Sequence, residues 1–219
     1  MAQGYVRAAD LPQVIPVFPL DGVLLLPRGQ LPLNIFEPRY LNMVDDAMAG
    51  DRIIGMIQPA GGPRRLPSLS PVGCAGRITS FAETSDGRYL ITLTGCSRFR
   101  VQGELPVQTP YRQVRAQFAP FEADLTAPPA GEGGLDRENL LDALRAYLET
   151  RGLDIDWETA ETAPPEALVN SLAMALPFDP PEKQALLEAP DLDGRAAVLT
   201  ALMRIDAAGD GDGDMGSIQ

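Results

Sequence analysis

Histidine is absent from the 219 residues and Lys183 is the only lysine. Those two facts remove the commonest zinc ligand, the commonest general base near neutral pH and any Ser-His-Asp or Cys-His machinery. No Gly-x-x-x-x-Gly-Lys-Ser/Thr string is present to cradle a phosphate, and Lys183 reads as a solvated or structural residue on a surface helix. Asp45 and Asp46 are sequence neighbours, which on a helix point about 100° apart and do not form a paired-carboxylate site; Asp191 and Asp193 read as helix caps or surface charge. Asp206, Asp210, Asp212 and Asp214 resemble a calcium loop, but the closing glutamate is missing and no helix follows, so the segment reads as a solubilising tail. Cys74 and Cys96 have a spacing that permits a disulfide, yet so low a cysteine count is unlike a stapled secreted scaffold and predicts reduced thiols. Glu37, Arg39 and Tyr40 lie beside Pro38, where a strand passes into a helix. Arg39 either clamps Glu37 to hold that junction, the favoured role, or presents its guanidinium to a peptide carboxylate or carbonyl. No catalytic residue, metal ligand or cofactor is expected.

The elements that must position these groups change character along the chain. Eighteen basic and 30 acidic residues give a net charge of -12, a field that repels nucleic acid and anionic membranes. No apolar run approaches the roughly 20 residues that cross a bilayer, and no secretory signal opens the chain, so the expected location is the cytoplasm. Residues 14–20 and 23–26 are extended apolar pieces whose prolines argue for edge positions or bends. Leu33 and Ile35 begin a further short strand, and Pro38 opens a helix with Tyr40, Leu41, Val44 and Met48 on its buried stripe. The segment 52–57 is a strand with Gly55 at a bulge or close contact. Residues 59–71 form a surface loop rich in Gly, Pro and Arg. A period of two over residues 75–82 and 89–93 flanks a turn at 85–88, and Phe99, Val101 and residues 111–118 continue the sheet. Six or so strands with one early helix predict a small, partly closed barrel.

After residues 120–134, read as a linker, the period becomes helical. Leu140, Leu141, Leu144, Tyr147 and Leu148 line a helix that Asp136 caps. Leu168, Leu172 and Leu176 line a second, and residues 181–187 form a third. Asp193 caps a fourth with Ala196, Leu199, Leu202 and Met203 on one face. The expected organisation is a β lobe over residues 11–119, a linker at 120–134, a helical lobe over 135–207 and a disordered acidic tail at 208–219.

Several strings resemble the N-terminal substrate-binding domain of Lon proteases. Residues 15–48, IPVFPLDGVLLLPRGQLPLNIFEPRYLNMVDDAM, carry Pro19-Leu20, Pro27, Pro32-Leu33 and Phe36-Glu37-Pro38-Arg39-Tyr40 in the order and spacing of that family, the pentad in the form seen in short, single-domain bacterial members. Gly73-Cys74-Ala75-Gly76-Arg77-Ile78, the G-x-x-R-F segment Gly95-Cys96-Ser97-Arg98-Phe99, and residues 182–188 followed by Arg195 match later family elements. The resemblance implies an α+β chain: an N-terminal PUA-like β pseudobarrel lobe with one early helix, then a C-terminal helical lobe. It implies a non-catalytic module, with neither the ATPase nor the peptidase centre of full-length Lon. The partners it implies are unfolded or extended polypeptide and, in protein quality control, a protease or chaperone; the alternative is a small-molecule or nucleic-acid binder, with nucleic acid disfavoured by the charge. The candidate ligand-binding residues are Ile35, Phe36, Glu37, Arg39 and Tyr40, with Arg64, Arg65 and Leu66 of the loop.

Overall fold

The computed structural model describes residues 5–63, 66–126 and 134–211. Its elements are β1 (Val14–Pro19), β2 (Gln30–Ile35), α1 (Pro38–Ala49), β3 (Ile53–Ile57), β4 (Val72–Glu83), β5 (Tyr89–Glu104), β6 (Arg112–Gln117), α2 (Arg137–Arg151), α3 (Trp157–Thr162), α4 (Pro165–Ala175), α5 (Pro180–Glu188) and α6 (Leu192–Gly211), with 3-10 helices at Ala8–Asp10 and Ala119–Leu125. The chain divides into two compact units, Met1–Ala127 with Pro177–Leu187, and Pro128–Leu176 with Glu188–Gln219. Part of the expected linker, 127–133, and part of the expected tail, 212–219, lie outside the described residues.

In the first unit the strands form one mixed sheet in the order β2-β5-β4-β3-β1-β6. β1 and β3 are parallel and the other neighbours antiparallel. This corrects the expected PUA-like pseudobarrel. β5 is 16 residues long and serves two partners along the edge that β4 leaves open: β2 over residues 89–94 and β6 from Arg100 onward. Among the described residues β2 pairs with β5 alone, so the sheet keeps an open edge that a closed barrel would abolish. The proline expectation is corrected as well, because β1 is an interior strand. Its register is staggered: Pro16 lies in the half that pairs β6, and Pro19 in the half that pairs β3. Each proline therefore has one side without a ladder bond to lose. Pro32, by contrast, sits on the edge strand.

The core of this unit gathers Ile15, Val17, Ile53, Ile57, Ala75, Phe99, Val114 and Phe118. Glycines make room for it. A Cβ on Gly73 would come within 2.6 Å of the Phe99 ring, and one on Gly55 within 2.9 Å of both Phe99 and Ile15. The apolar piece 23–26 is not a strand; Leu24, Leu25 and Leu26 are buried where Gly76 and Gly95 let the chain approach. Arg28 donates its backbone N–H to Gly95 at 2.8 Å, and Gly95 donates to Gly29 at 2.9 Å.

Polar side chains hold α5 in the first unit. Gln58, itself buried, donates to the Pro180 carbonyl at 3.0 Å, Gln184 donates to Val72 at 3.1 Å, and Arg98 donates to Leu187 at 3.2 Å. Arg98 also forms a buried ion pair with Asp124 of the second 3-10 helix.

The second unit packs helices. Leu140, Leu144 and Tyr147 of α2, Val169 of α4, and Leu199 and Met203 of α6 are all buried. Asp136 caps α2 by accepting from the Asn139 N–H, and Gly152 ends it in a left-handed conformation at φ 60°. α3 was not anticipated; it is a single short run that Asp156 caps through the Thr159 N–H. At the start of α6 it is Asp191, not Asp193, whose carboxylate accepts a backbone bond, from Gly194 at 2.8 Å.

A Cβ at Gly95 would run into the Leu26 carbonyl, and backbone cannot swing aside as a flexible side chain can. Gly95→Ala should therefore destabilise the protein by about 3 kcal/mol, whereas Gly103→Ala, whose Cβ would meet nothing within 4 Å, should stay within about 0.5 kcal/mol of the parent. Urea unfolding of the two variants checks this; equal midpoints would contradict the packing described.

Candidate functional site

β2 ends at Ile35, which is buried against the core, and the next side chain, Phe36, is 62% exposed. Glu37 occupies the position before α1 in an extended conformation, and Pro38 sets the first helical φ. Arg39 folds back: Nε donates to Glu37 Oε2 at 3.0 Å, and Nη2 lies 2.8 Å from the same oxygen. The guanidinium carbon also stacks 4.5 Å from the centre of the Tyr40 ring. Tyr40 is buried against Phe18 of β1, ring centres 4.1 Å apart. Burial pushes its phenol above the usual range, opposed by the Arg39 charge and, from β6, the Arg112 charge. Of the five predicted residues here, Ile35 and Tyr40 are thus internal supports, while Phe36 and Arg39 face outward with Glu37 half-buried beside them.

Leu66 of the 59–71 loop is 61% exposed; Arg64 and Arg65 lie outside the described residues. The loop is tied to the sheet by a residue that the sequence reading passed over. Arg112 donates Nη1 to the Pro67 carbonyl at 2.7 Å and grips both Glu104 oxygens at 2.6 Å. Arg112 carries no motif signal, since an arginine in a strand is as often a plain surface residue. The loop also closes on itself through Ala60 N–H to Ser68 O and Ser68 N–H to Gly61 O, 2.8 Å each.

A cleft of about 160 Å³ lies beside α1, lined by Pro12, Val14, Asp46, Asp51, Tyr111 and Gln113 among others. Tyr111 donates its hydroxyl to Asp46 at 2.6 Å, whereas Asp45 bonds Tyr89; the two carboxylates diverge as helix neighbours should. Cys74 and Cys96 are both buried, and burial pushes the Cys96 thiol up to about 11. Lys183 requires correction. It is not on a solvated surface but 1% exposed, its ammonium 6.0 Å from the Phe178 ring. Among the described residues there is no group of three or more His, Cys, Asp or Glu side chains able to hold a metal, and no helix is long and apolar enough to cross a membrane.

The buried titrating groups act on stability in opposite senses. Burial lowers the Lys183 ammonium to about 8 from 10.5. Between those values the unfolded chain holds the proton and the folded chain does not, so this residue makes stability rise with pH from about 8 to 10.5. Burial first, then the bond to Asp46 and its charge, push the Tyr111 phenol up to about 12 from 10.0. The stability it contributes is complete below pH 10.0 and is lost as pH passes through about 12. Lys183→Met should remove the rise and Tyr111→Phe should reduce the alkaline fall, read from urea unfolding at successive pH values. Parent-like pH profiles in both variants would contradict this assignment.

The chain is similar along most of its length to one family. The ATP-dependent protease La (LON) substrate-binding domain matches residues 14–204. The Lon protease of Desulfosudis oleivorans is 26% identical over 195 residues, covering 87% of this chain and 24% of the relative. Lon protease 2 of Myxococcus xanthus is 24% identical over 203 residues, covering 91% and 24%. The chain therefore spans about a quarter of the length of these relatives. Among solved structures, a Lon N-terminal domain protein from Xanthomonas campestris superposes with a TM-score of 0.60 at 26% identity, covering 86% of this chain and 97% of that one. The N-terminal domain of the Mycobacterium avium complex Lon protease gives 0.61 at 18% identity, covering 87% and 97%, a likeness of fold.

Proposed function

The chain belongs to the LON substrate-binding domain family, the part of Lon that is distinct from its protease core, and from this we propose that it binds extended, partly apolar polypeptide. It does so in the cytoplasm, as an adaptor or accessory factor in protein quality control beside a protease or chaperone. The family match over residues 14–204 is the observation that carries this reading. Phe36 and Leu66 support it, being two large apolar side chains left 62% and 61% exposed.

The physical roles within the proposed site divide. Phe36 and Leu66 offer apolar area to a client's side chains; Arg39 offers its guanidinium to client carbonyls while Glu37 and the Tyr40 face hold it in place. Ile35 and Tyr40 keep the junction rigid, and Arg64 and Arg65 add positive charge to the loop. So few contacts, set against the cost of immobilising an extended chain, yield affinities on the order of micromolar or weaker.

Titrating the protein into a fluorescent, reduced and carboxymethylated unfolded protein tests this. We expect saturable binding, weakened about tenfold by the double substitution Phe36→Ala and Leu66→Ala with little change in melting temperature. Binding that ignores the double substitution would remove this surface from the site, and no binding at millimolar protein would refute the function.

A further inference from the structure

We propose that the free edge of β2 takes the client polypeptide as an added strand, an inference that rests on the polypeptide-binding reading and gives it a mode of recognition. Among the described residues β2 pairs with β5 alone, so one row of its backbone groups has no ladder partner among them. Which groups these are follows from the register. Gly95 N–H donates to the Gly29 carbonyl at 2.9 Å, and the pairing continues from Gln30 opposite Thr94 to Ile35 opposite Tyr89. Antiparallel ladders bond at every second pair, so Leu31, Leu33 and Ile35 spend their backbone groups on β5. Gln30, Pro32 and Asn34 turn theirs outward. Pro32 fits this parity, since its missing N–H falls where β5 needs no donor. Burial alternates in step, with Gln30, Pro32 and Asn34 exposed and Leu31 and Leu33 half-buried.

The outward row consists of the carbonyls of residues 30, 32 and 34 and the Asn34 N–H, with the Gln30 N–H at the strand's start. Such a row recognises extended backbone of almost any sequence. The side chains around it narrow the partner. Opposite Asn34 lies Leu90, and opposite Leu90 lies Ala82, all three exposed on one face of the sheet with Pro32. An added strand running past Asn34 reaches Phe36 directly. At that end Arg39 is paired with Glu37 and Arg88 with Asp86, while the exposed carboxylates Asp45 and Glu83 lie near Tyr89, opposite Ile35, so the surroundings favour a neutral apolar segment over an acidic one. Pro32 leaves one gap in the donor row. That gap limits affinity and disfavours edge-to-edge pairing of two copies, the usual hazard of an open strand.

Amide hydrogen exchange on the full, isotope-labelled chain tests this with two probes: a soluble peptide alternating valine and serine, and the carboxymethylated unfolded protein. The expected result is that ligand slows exchange of the Asn34 amide and leaves the Leu33 amide, already bonded to β5, unchanged. Asn34→Pro, which deletes the outward donor, should weaken binding about tenfold, while Asn34→Ala should bind like the parent. Should the proline variant fail to fold, the exchange pattern of the parent decides alone. Binding with no change at Asn34 would overturn the edge as the site yet leave polypeptide binding standing. Failure of both probes to bind would overturn the functional reading and the edge with it. Protection of Asn34 that grows with protein concentration in the absence of ligand would assign the edge to a second copy and overturn the proposal.

Discussion

Arg98 and Asp124 place two opposite charges inside the first unit, at 4% and 7% exposure. Taking such a pair out of water costs several kcal/mol per ion, which is recovered only when geometry and the remaining donors are satisfied. Here the guanidinium meets both carboxylate oxygens at 2.9 Å, and Asp124 also accepts the Arg98 backbone N–H at 2.9 Å. Nη1 goes on to the Leu187 carbonyl, and the plane lies 4.7 Å from the Phe121 ring centre. The Asp124 carbonyl in turn accepts from Arg28. One arginine on β5 thereby fixes a 3-10 helix about 26 residues later and a helix end about 89 residues later. Apolar contact alone would hold these pieces with less directional preference; the charge pair sets where each one sits.

The sheet on which they sit is shaped by what glycine permits. Phe99, next to Arg98, fills the space over Gly55 and Gly73, and the leucines of residues 24–26 close over Gly76 and Gly95. The segment between β1 and β2 is thereby pulled across the sheet, and β2 emerges at its margin with six residues in register on β5. The start of α1 is braced separately, by Tyr40 against Phe18 and by Arg39 on Glu37. Exposed groups at β2 and Phe36 thus stand on rigid supports, which spares a bound polypeptide the cost of ordering the site.

Much of this was legible in the residues. The period of two over β4 and β5, the helix opened by Pro38 and the cap at Asp136 are local signals, and they gave the right elements. The Gly-x-x-R-F string marked Arg98, and family likeness identified the module. What failed was non-local. Whether six strands close depends on how one long strand divides its edge between β2 and β6, and no local pattern carries that. Lys183 was misplaced for a similar reason: a helix stripe shows that one face is buried, not that a lysine lies on that face. The return of residues 177–187 to the first unit is written in Gln58, Gln184 and Arg98, single polar residues whose partners are distant in sequence. At the proposed site, the burial of Tyr40 was legible in the helical spacing after Pro38, whereas the outward turn of Phe36, which precedes the helix, carried no local signal.

The most direct test of this account is native-state hydrogen exchange in Asp124→Asn, which keeps the shape of the side chain and removes its charge. If the Arg98 and Asp124 pair sets the positions of its neighbours, the amides of α5 from Lys183 to Leu187 and those of the 119–125 helix should open together. Both should lose about 3 kcal/mol of protection, while the amides of α2 in the second unit keep theirs. Faster exchange confined to the 119–125 helix, with α5 protected as in the parent, would contradict the central role given to this pair.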